Sequence, residues 1–142
     1  MPSTLVSPEV QAFATGFPVT LLHAAVTVLM LAAGVTVYVL MTPYKELALV
    51  RAGNTAAALS LGGVLVGLAI PLGVSLAAST SILEIVVWGL ATIAVQLFVF
   101  RAADLMLRGL PARIIAGETA AATLLVAAKI ATALILAAAV AG

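Results

Sequence analysis

A chain of 142 residues that is 65% hydrophobic and only 8% charged departs from soluble domains, which are roughly a quarter charged. Its polar side chains are too few to cover a water-facing surface, and its apolar runs are long enough to cross a hydrocarbon core of ~30 Å. A net charge of +1 with no basic patch excludes nucleic acid as a partner, and zero cysteines with a single histidine exclude disulfides and thiol chemistry and leave a metal almost without ligands. The N-terminus, MPSTLVSPEV, lacks the positive start of a signal peptide, so the first span is expected to be retained as its own insertion signal. Ser7-Pro8-Glu9 has the grammar of a helix start: a cap, a proline at the first helical position and an acid beside the positive dipole end. A short helix carrying Val10, Phe13, Ala14 and Phe17 should follow and end near Gly16 and Pro18, lying in the interface over residues 1–18. A frayed tail is the alternative.

The first span is read from about Val19 to Met41, with His23 near its start and Tyr38 near its end as an interface anchor. Thr42-Pro43-Tyr44-Lys45-Glu46 then opens a short interfacial connector to Arg51. The second span runs to about Leu72, where Pro71 and Gly73 should end or kink it. Along it Ala56, Ser60, Gly63 and Gly67 recur every three or four residues on one face, a stripe that lets another helix approach to backbone contact in lipid. The glycines could instead mark an unwound, ion-coordinating segment. Ser81-Ile82-Leu83-Glu84 matches a capping box and starts the third span, which passes Trp88 and Gln96 to about Phe100. A second amphipathic connector holds Arg101, Asp104, Arg108 and Arg113. The fourth span extends from about Gly117 to the C-terminus with Lys129 in its middle.

Ala52-Gly53-Asn54-Thr55-Ala56-Ala57-Ala58 recurs sixty-four residues later as Ala116-Gly117-Glu118-Thr119-Ala120-Ala121-Ala122. This duplication predicts an all-α membrane protein with four transmembrane helices as two parallel two-helix repeats, about 19–73 and 82–142, within one membrane domain with short interfacial amphipathic helices. Lys45, Arg51, Arg101, Arg108 and Arg113 all fall in the two connectors, which places these in the cytoplasm and both termini on the periplasmic or outer side.

The run from Tyr44 to Phe100 resembles the bacterial family known as domain of unknown function 350. The likeness rests on Pro43-Tyr44-Lys45-Glu46, Gly53-Asn54-Thr55-Ala56-Ala57-Ala58, Gly62-Gly63 with Gly67, Pro71-Leu72, and Trp88-Gly89 with Gln96. The second copy departs from it, with Glu118 for Asn54, Ala127 and Ala131 for Gly63 and Gly67, and Ile135 for Pro71. The resemblance implies small inner-membrane proteins built from two copies of a two-span unit, with no settled activity. The resemblance further implies, from the family's genes looking similar in context to membrane-stress and polyamine-linked operons, a role in envelope maintenance alongside membrane-stress partner proteins.

Asn54 and Glu118, at equivalent helix starts, are expected to cap their helices or to form a paired polar vestibule. Lys129 requires a partner, a cavity or snorkelling, since a charge at the bilayer centre costs about 2.5–3.5 kcal/mol even on the lenient insertion scale. The expectation is that Lys129 reaches outward to Glu84, with His23 sharing the network. Glu84 closing only its own capping box while Lys129 snorkels is the alternative. No nucleophile–base pair, phosphate-cradling loop or metal-ligand spacing occurs, so neither an enzyme nor a cofactor is expected. Two functions remain. One is a structural or interaction component of the inner membrane acting as a homo-oligomer, most simply a dimer through its small-residue faces. The other is a small proton or ion conduit.

Overall fold

The computed structural model describes residues 5–142, so the part of the expected interfacial segment at residues 1–4 lies outside the described residues. Among these, the regular structure is all helical, with α1 (Pro8–Met41), α2 (Glu46–Arg51), α3 (Thr55–Ala78), α4 (Ile82–Met106), α5 (Leu110–Ile115) and α6 (Thr119–Ala141). Four of them, α1, α3, α4 and α6, are long and apolar enough to cross a membrane. The helix starts read from sequence are built as cap physics requires. Ser7 Oγ accepts from Val10 N at 3.4 Å, Asn54 Oδ1 from Ala57 N at 3.0 Å and Ser81 Oγ from Glu84 N at 3.2 Å.

Three boundaries differ from the sequence reading, each for a reason that membranes supply. The helix does not stop at Gly16 and Pro18: α1 continues from Pro8 through both as one 34-residue rod, so no separate interfacial helix precedes the first span. α3 likewise passes Pro71 and Gly73 to Ala78. A proline removes a single ladder bond, and around Pro71, in a medium without competing water, the chain gains more by staying helical than by exposing further backbone groups. α4 extends past Phe100 to Met106, which carries Asp104 into the helix and onto the face of Gln96 and Phe100.

The two connector helices end with the same backbone geometry. α2 and α5 are six residues each and both end on a left-handed glycine, Gly53 and Gly117, each with φ of 87°. Gly53 N donates to Val50 O and Asn54 N to Leu49 O; Gly117 N donates to Ile114 O and Glu118 N to Arg113 O. This paired pattern is the Schellman termination. It turns the chain sharply out of each short connector helix and straight into α3 or α6. Glycine is needed there because a Cβ disfavours the left-handed region.

α3 lies at the centre, packed against α6 most extensively and also against α1, α2 and α4. One apolar cluster, with Met30, Tyr38, Leu68, Leu72, Ile85, Ile93 and Phe100, fills the space among α1, α3 and α4. A second, with Ala56, Ala57, Ile114, Ala121, Ala122 and Leu125, joins α3, α5 and α6 at the connector end. The small-residue stripe of α3 is therefore used inside the chain: Ala56, Ser60, Gly63 and Gly67 are all buried. A Cβ on Gly63 would stand 2.6 Å from Val126 Cγ2, and one on Gly67 2.6 Å from Phe100 Cζ. α3 remains helical through both residues, so they serve close packing within an intact span.

Gly63→Ala should lower thermal stability in detergent by about 1–3 kcal/mol, the usual cost of overpacking. Because the clash is with one valine, adding Val126→Ala should recover much of the loss. A Gly63→Ala protein as stable as wild type would show that α3 and α6 are not so closely apposed.

Candidate functional site

The direction of α6 decides where Lys129 goes. A helical side chain leans toward its own N-terminus, and the N-terminus of α6 is at the connector end. Lys129, roughly 15 Å along the helix from that end, therefore extends toward the connectors and away from Glu84 and His23. Its side chain is completely buried. The ammonium Nζ donates to the Tyr38 hydroxyl at 2.6 Å and lies 3.1 Å from Asp104 Oδ1, close enough for an ion pair though not aligned as a hydrogen bond. The Tyr38 hydroxyl in turn donates to Asp104 Oδ2 at 3.4 Å. A triangle of α1, α4 and α6 thus closes around a single proton-rich centre.

Aromatic faces complete the lining. Nζ is 4.7 Å from the Tyr38 ring centroid and 5.4 Å from that of Phe100, and the two rings meet edge to face at 6.2 Å. Such cation–π contacts strengthen when the cation is desolvated. Gln96 Nε2 donates to the Lys129 carbonyl at 3.4 Å, so the same α6 residue is held at both ends.

A second carboxyl sits beside this triangle. Glu46, the first residue of α2, is fully buried. Its Oε1 receives Ser60 Oγ at a long 3.5 Å, and its Oε2 has no hydrogen-bond partner. Burial pushes the Glu46 carboxyl above the usual carboxylate range, with the Asp104 charge adding to the rise, while Tyr44, Lys129 and Ser60 pull it partly back. The Tyr44 hydroxyl is pushed up as well, chiefly by burial and then by Glu46. Asp104 and Tyr44 both line a cavity of about 330 Å³ that opens between the connectors, with Arg101 and Arg108 on its walls.

The expected outer network is not assembled. Glu84 is exposed, and its Oε2 accepts from Thr80 N at 2.7 Å and Thr80 Oγ1 at 3.1 Å while its own N–H is capped by Ser81. Half-buried His23 lies roughly 22 Å up α1 from Tyr38. Neither touches Lys129. Asn54 and Glu118 do not face each other as a vestibule either. Asn54 caps α3 and also donates from Nδ2 to the Ile114 and Ile115 carbonyls at 3.1 Å each, tying the end of α5 to the start of α3. Glu118 makes no side-chain cap and instead pairs with Arg113 at 2.5 Å on the surface, where such pairs contribute little.

Tyr38 is a ligand of the ammonium and only 4% exposed, not an interface anchor. Asp104 and Glu46 were both readable only as connector charges. The available signal was the helical face itself: Gln96, Phe100 and Asp104 fall four residues apart, as do the buried positions Ile85, Gly89 and Ile93.

Comparison with known proteins places this arrangement in a context. A family model described as Domain of Unknown Function (DUF350) matches residues 12–140. The chain is also similar to the UPF0719 inner membrane protein YjfL of Escherichia coli strain K12 and its counterpart in strain O157:H7, each 36% identical over 85 residues. That alignment covers 60% of this chain and 64% of each relative, so it spans less than two thirds of their length. No solved structure matches the chain.

Removing one partner of a buried ion pair leaves the other uncompensated, at about 3–5 kcal/mol. Lys129→Met and Asp104→Asn should each destabilise on that scale in detergent melts, and the double variant should lose clearly less than the two together. Strictly additive losses would show that the two groups do not act as a pair.

Proposed function

The chain belongs to the DUF350 family, and from that membership together with the closed ion-pair cluster we propose that it is a structural or interaction component of the bacterial inner membrane, active in envelope maintenance and not an enzyme. The name of the E. coli relatives supports the inner membrane as the location, and the charge of the connectors supports their facing the cytoplasm, with both termini outside. The observation that carries the reading is that Lys129, the buried ammonium of the bundle, closes on Asp104 and Tyr38. Lys129, Asp104 and Tyr38 bind three helices together, and Met30, Leu68, Leu72, Ile85 and Ile93 form an apolar layer between them and the far end. A through-path for ions would need a linked series of polar groups across that layer, where the buried polar side chains are the isolated hydroxyls of Ser75 and Thr92. His23 and Glu84 lie beyond it, at the far end.

Self-association is part of the proposal, but through a surface other than the buried face of α3. An apolar groove of about 450 Å³ runs along α3 and α6 between Thr55, Ala58, Gly62, Val66, Val126 and Ile130. At its middle a Cβ on Gly62 would meet nothing within 4 Å. Small residues three or four apart on an unoccupied face allow a helix of a second copy to approach closely, and membrane partners involved in stress responses would be accommodated in the same way.

The second reading, a proton or ion conduit, is favoured by the intramembrane ionisable residues themselves. Reconstituted liposomes separate the two: the chain should dissipate a proton or potassium gradient no faster than empty vesicles. A flux abolished by Lys129→Met would overturn the structural reading in favour of the conduit. For assembly, Gly62→Leu should abolish cysteine crosslinking between copies in native membranes while leaving the melting temperature within a few degrees of wild type. Unchanged crosslinking would place the contact elsewhere.

A further inference from the structure

Three ionisable groups meet at the connector half of the bundle, two carboxyls and one ammonium, and their hydrogen-bonding capacities do not match. Lys129 Nζ is engaged by Tyr38 and Asp104. Glu46, completely buried, is left with one long contact from Ser60 and a second oxygen that receives no donor. An ionised carboxylate in that setting would have to be desolvated with only the neighbouring Tyr44 hydroxyl, the Ser60 contact and the charge of Lys129, already paired with Asp104, in return, whereas a protonated one needs far less. With Asp104 already paired to Lys129, a proton on Glu46 also brings the cluster to zero net charge.

We propose that Glu46 is a proton-binding site, occupied at neutral pH and in exchange with the connector side only, so that the protonation of this one carboxyl reports the pH of that compartment to the buried Lys129–Asp104 pair. The exchange is a simple dissociation: the carboxylic O–H breaks, the proton passes to solvent, and a carboxylate remains. Tyr44 faces the carboxyl and lines two openings on the connector side, of about 330 and 580 Å³. Asp104 borders the first of them with its side chain 10% exposed. Toward the far end the carboxyl is backed by the apolar cluster that contains Leu68, Leu72 and Ile93.

The charged and titratable groups facing Glu46 come from every element around it: Tyr38 on α1, Tyr44 before α2, Asp104 on α4 and Lys129 on α6, with the uncharged Ser60 on α3. Loss of the proton sets a second negative charge against Asp104, and Lys129 then has two carboxylates to satisfy. The interaction that holds α1, α4 and α6 together is thereby shared and weakened. The direction of the pH effect follows. Between the ordinary carboxylate value of 4.5 and the raised value in the folded protein, the native state holds a proton that the unfolded state has released, so stability is greatest at the acid side and falls as pH rises.

Infrared difference spectroscopy of the full chain in liposomes tests this. At neutral pH a carbonyl band of a protonated carboxylic acid should be present, should move in heavy water, and should shift when glutamate carboxyls alone carry carbon-13. It should be lost in Glu46→Gln, which mimics the protonated acid and preserves the fold, and kept in Glu118→Gln. The melting temperature of wild type should fall as pH rises through the titration of that band, whereas that of Glu46→Gln should stay level across the same window. Absence of the band at neutral pH, its persistence in Glu46→Gln, or its insensitivity to glutamate labelling would each overturn the proposal. The labelling arm requires no variant at all. Because none of these readouts involves flux or assembly, the proton site can fail while the structural reading stands, and the reverse.

Discussion

An ammonium held inside a lipid-embedded bundle has to be met by opposite charge and by donors and acceptors in the right places, and the arrangement of helices here follows from meeting the one on Lys129. Its partners come from the last turns of α1 and α4, Tyr38 and Asp104. These helices run opposite to α6, so their C-terminal ends lie beside its N-terminal half. The lean of a helical side chain toward its N-terminus then brings the ammonium to them. Association among apolar helices in lipid has little hydrophobic drive. A pair that is costly to separate gives the bundle a specific register that side-chain packing alone would specify less sharply.

Packing and polarity are coupled through α3. Gly67 lets Phe100 approach its backbone, and Phe100 forms one wall of the chamber around the Lys129 ammonium. Ser60, one position of the same small stripe, reaches Glu46 with its hydroxyl. The stripe thus allows α6 to come close and also shapes the polar chamber that this closeness encloses. The two recurring sequence stretches serve different tasks. Asn54 fastens α3 to α5 while Glu118 remains on the surface, and the ammonium is supplied by the second half without a matching lysine in the first.

The four spans, their caps and the doubled glycine turn were legible in the sequence because each is a local matter: length and apolarity of a run, a cap at its start, a glycine where φ must be positive. The chamber was not, because it depends on where helices stop and which way they point. Asp104 reads as a connector charge if α4 is thought to end at Phe100, and as a buried ligand once the helix continues to Met106. Lys129 sits near the middle of its span, from where either end is in reach of a long side chain, and it is the polarity of α6 that sends it to the connector side and not to Glu84. Glu46, flanked by Lys45 in a short charged stretch, carries no local sign of burial. Its burial is set by α2 folding under α3, a contact between elements.

The length of α1 has a mechanical consequence. At ~1.5 Å per residue its 34 residues reach about 51 Å, while a hydrocarbon core is ~30 Å thick and tilts rarely exceed about 40°. Its first turns, where Phe13 and Phe17 stack at 4.8 Å, must therefore project into the headgroup layer at the far end. A continuous helix transmits axial displacement along its length, with Pro18 as its one missing rung. The other end of the same rod carries Tyr38, in direct contact with the buried ammonium. One unbroken element thus has its aromatic turns at one face of the membrane and its contact with the charge pair beneath the opposite face.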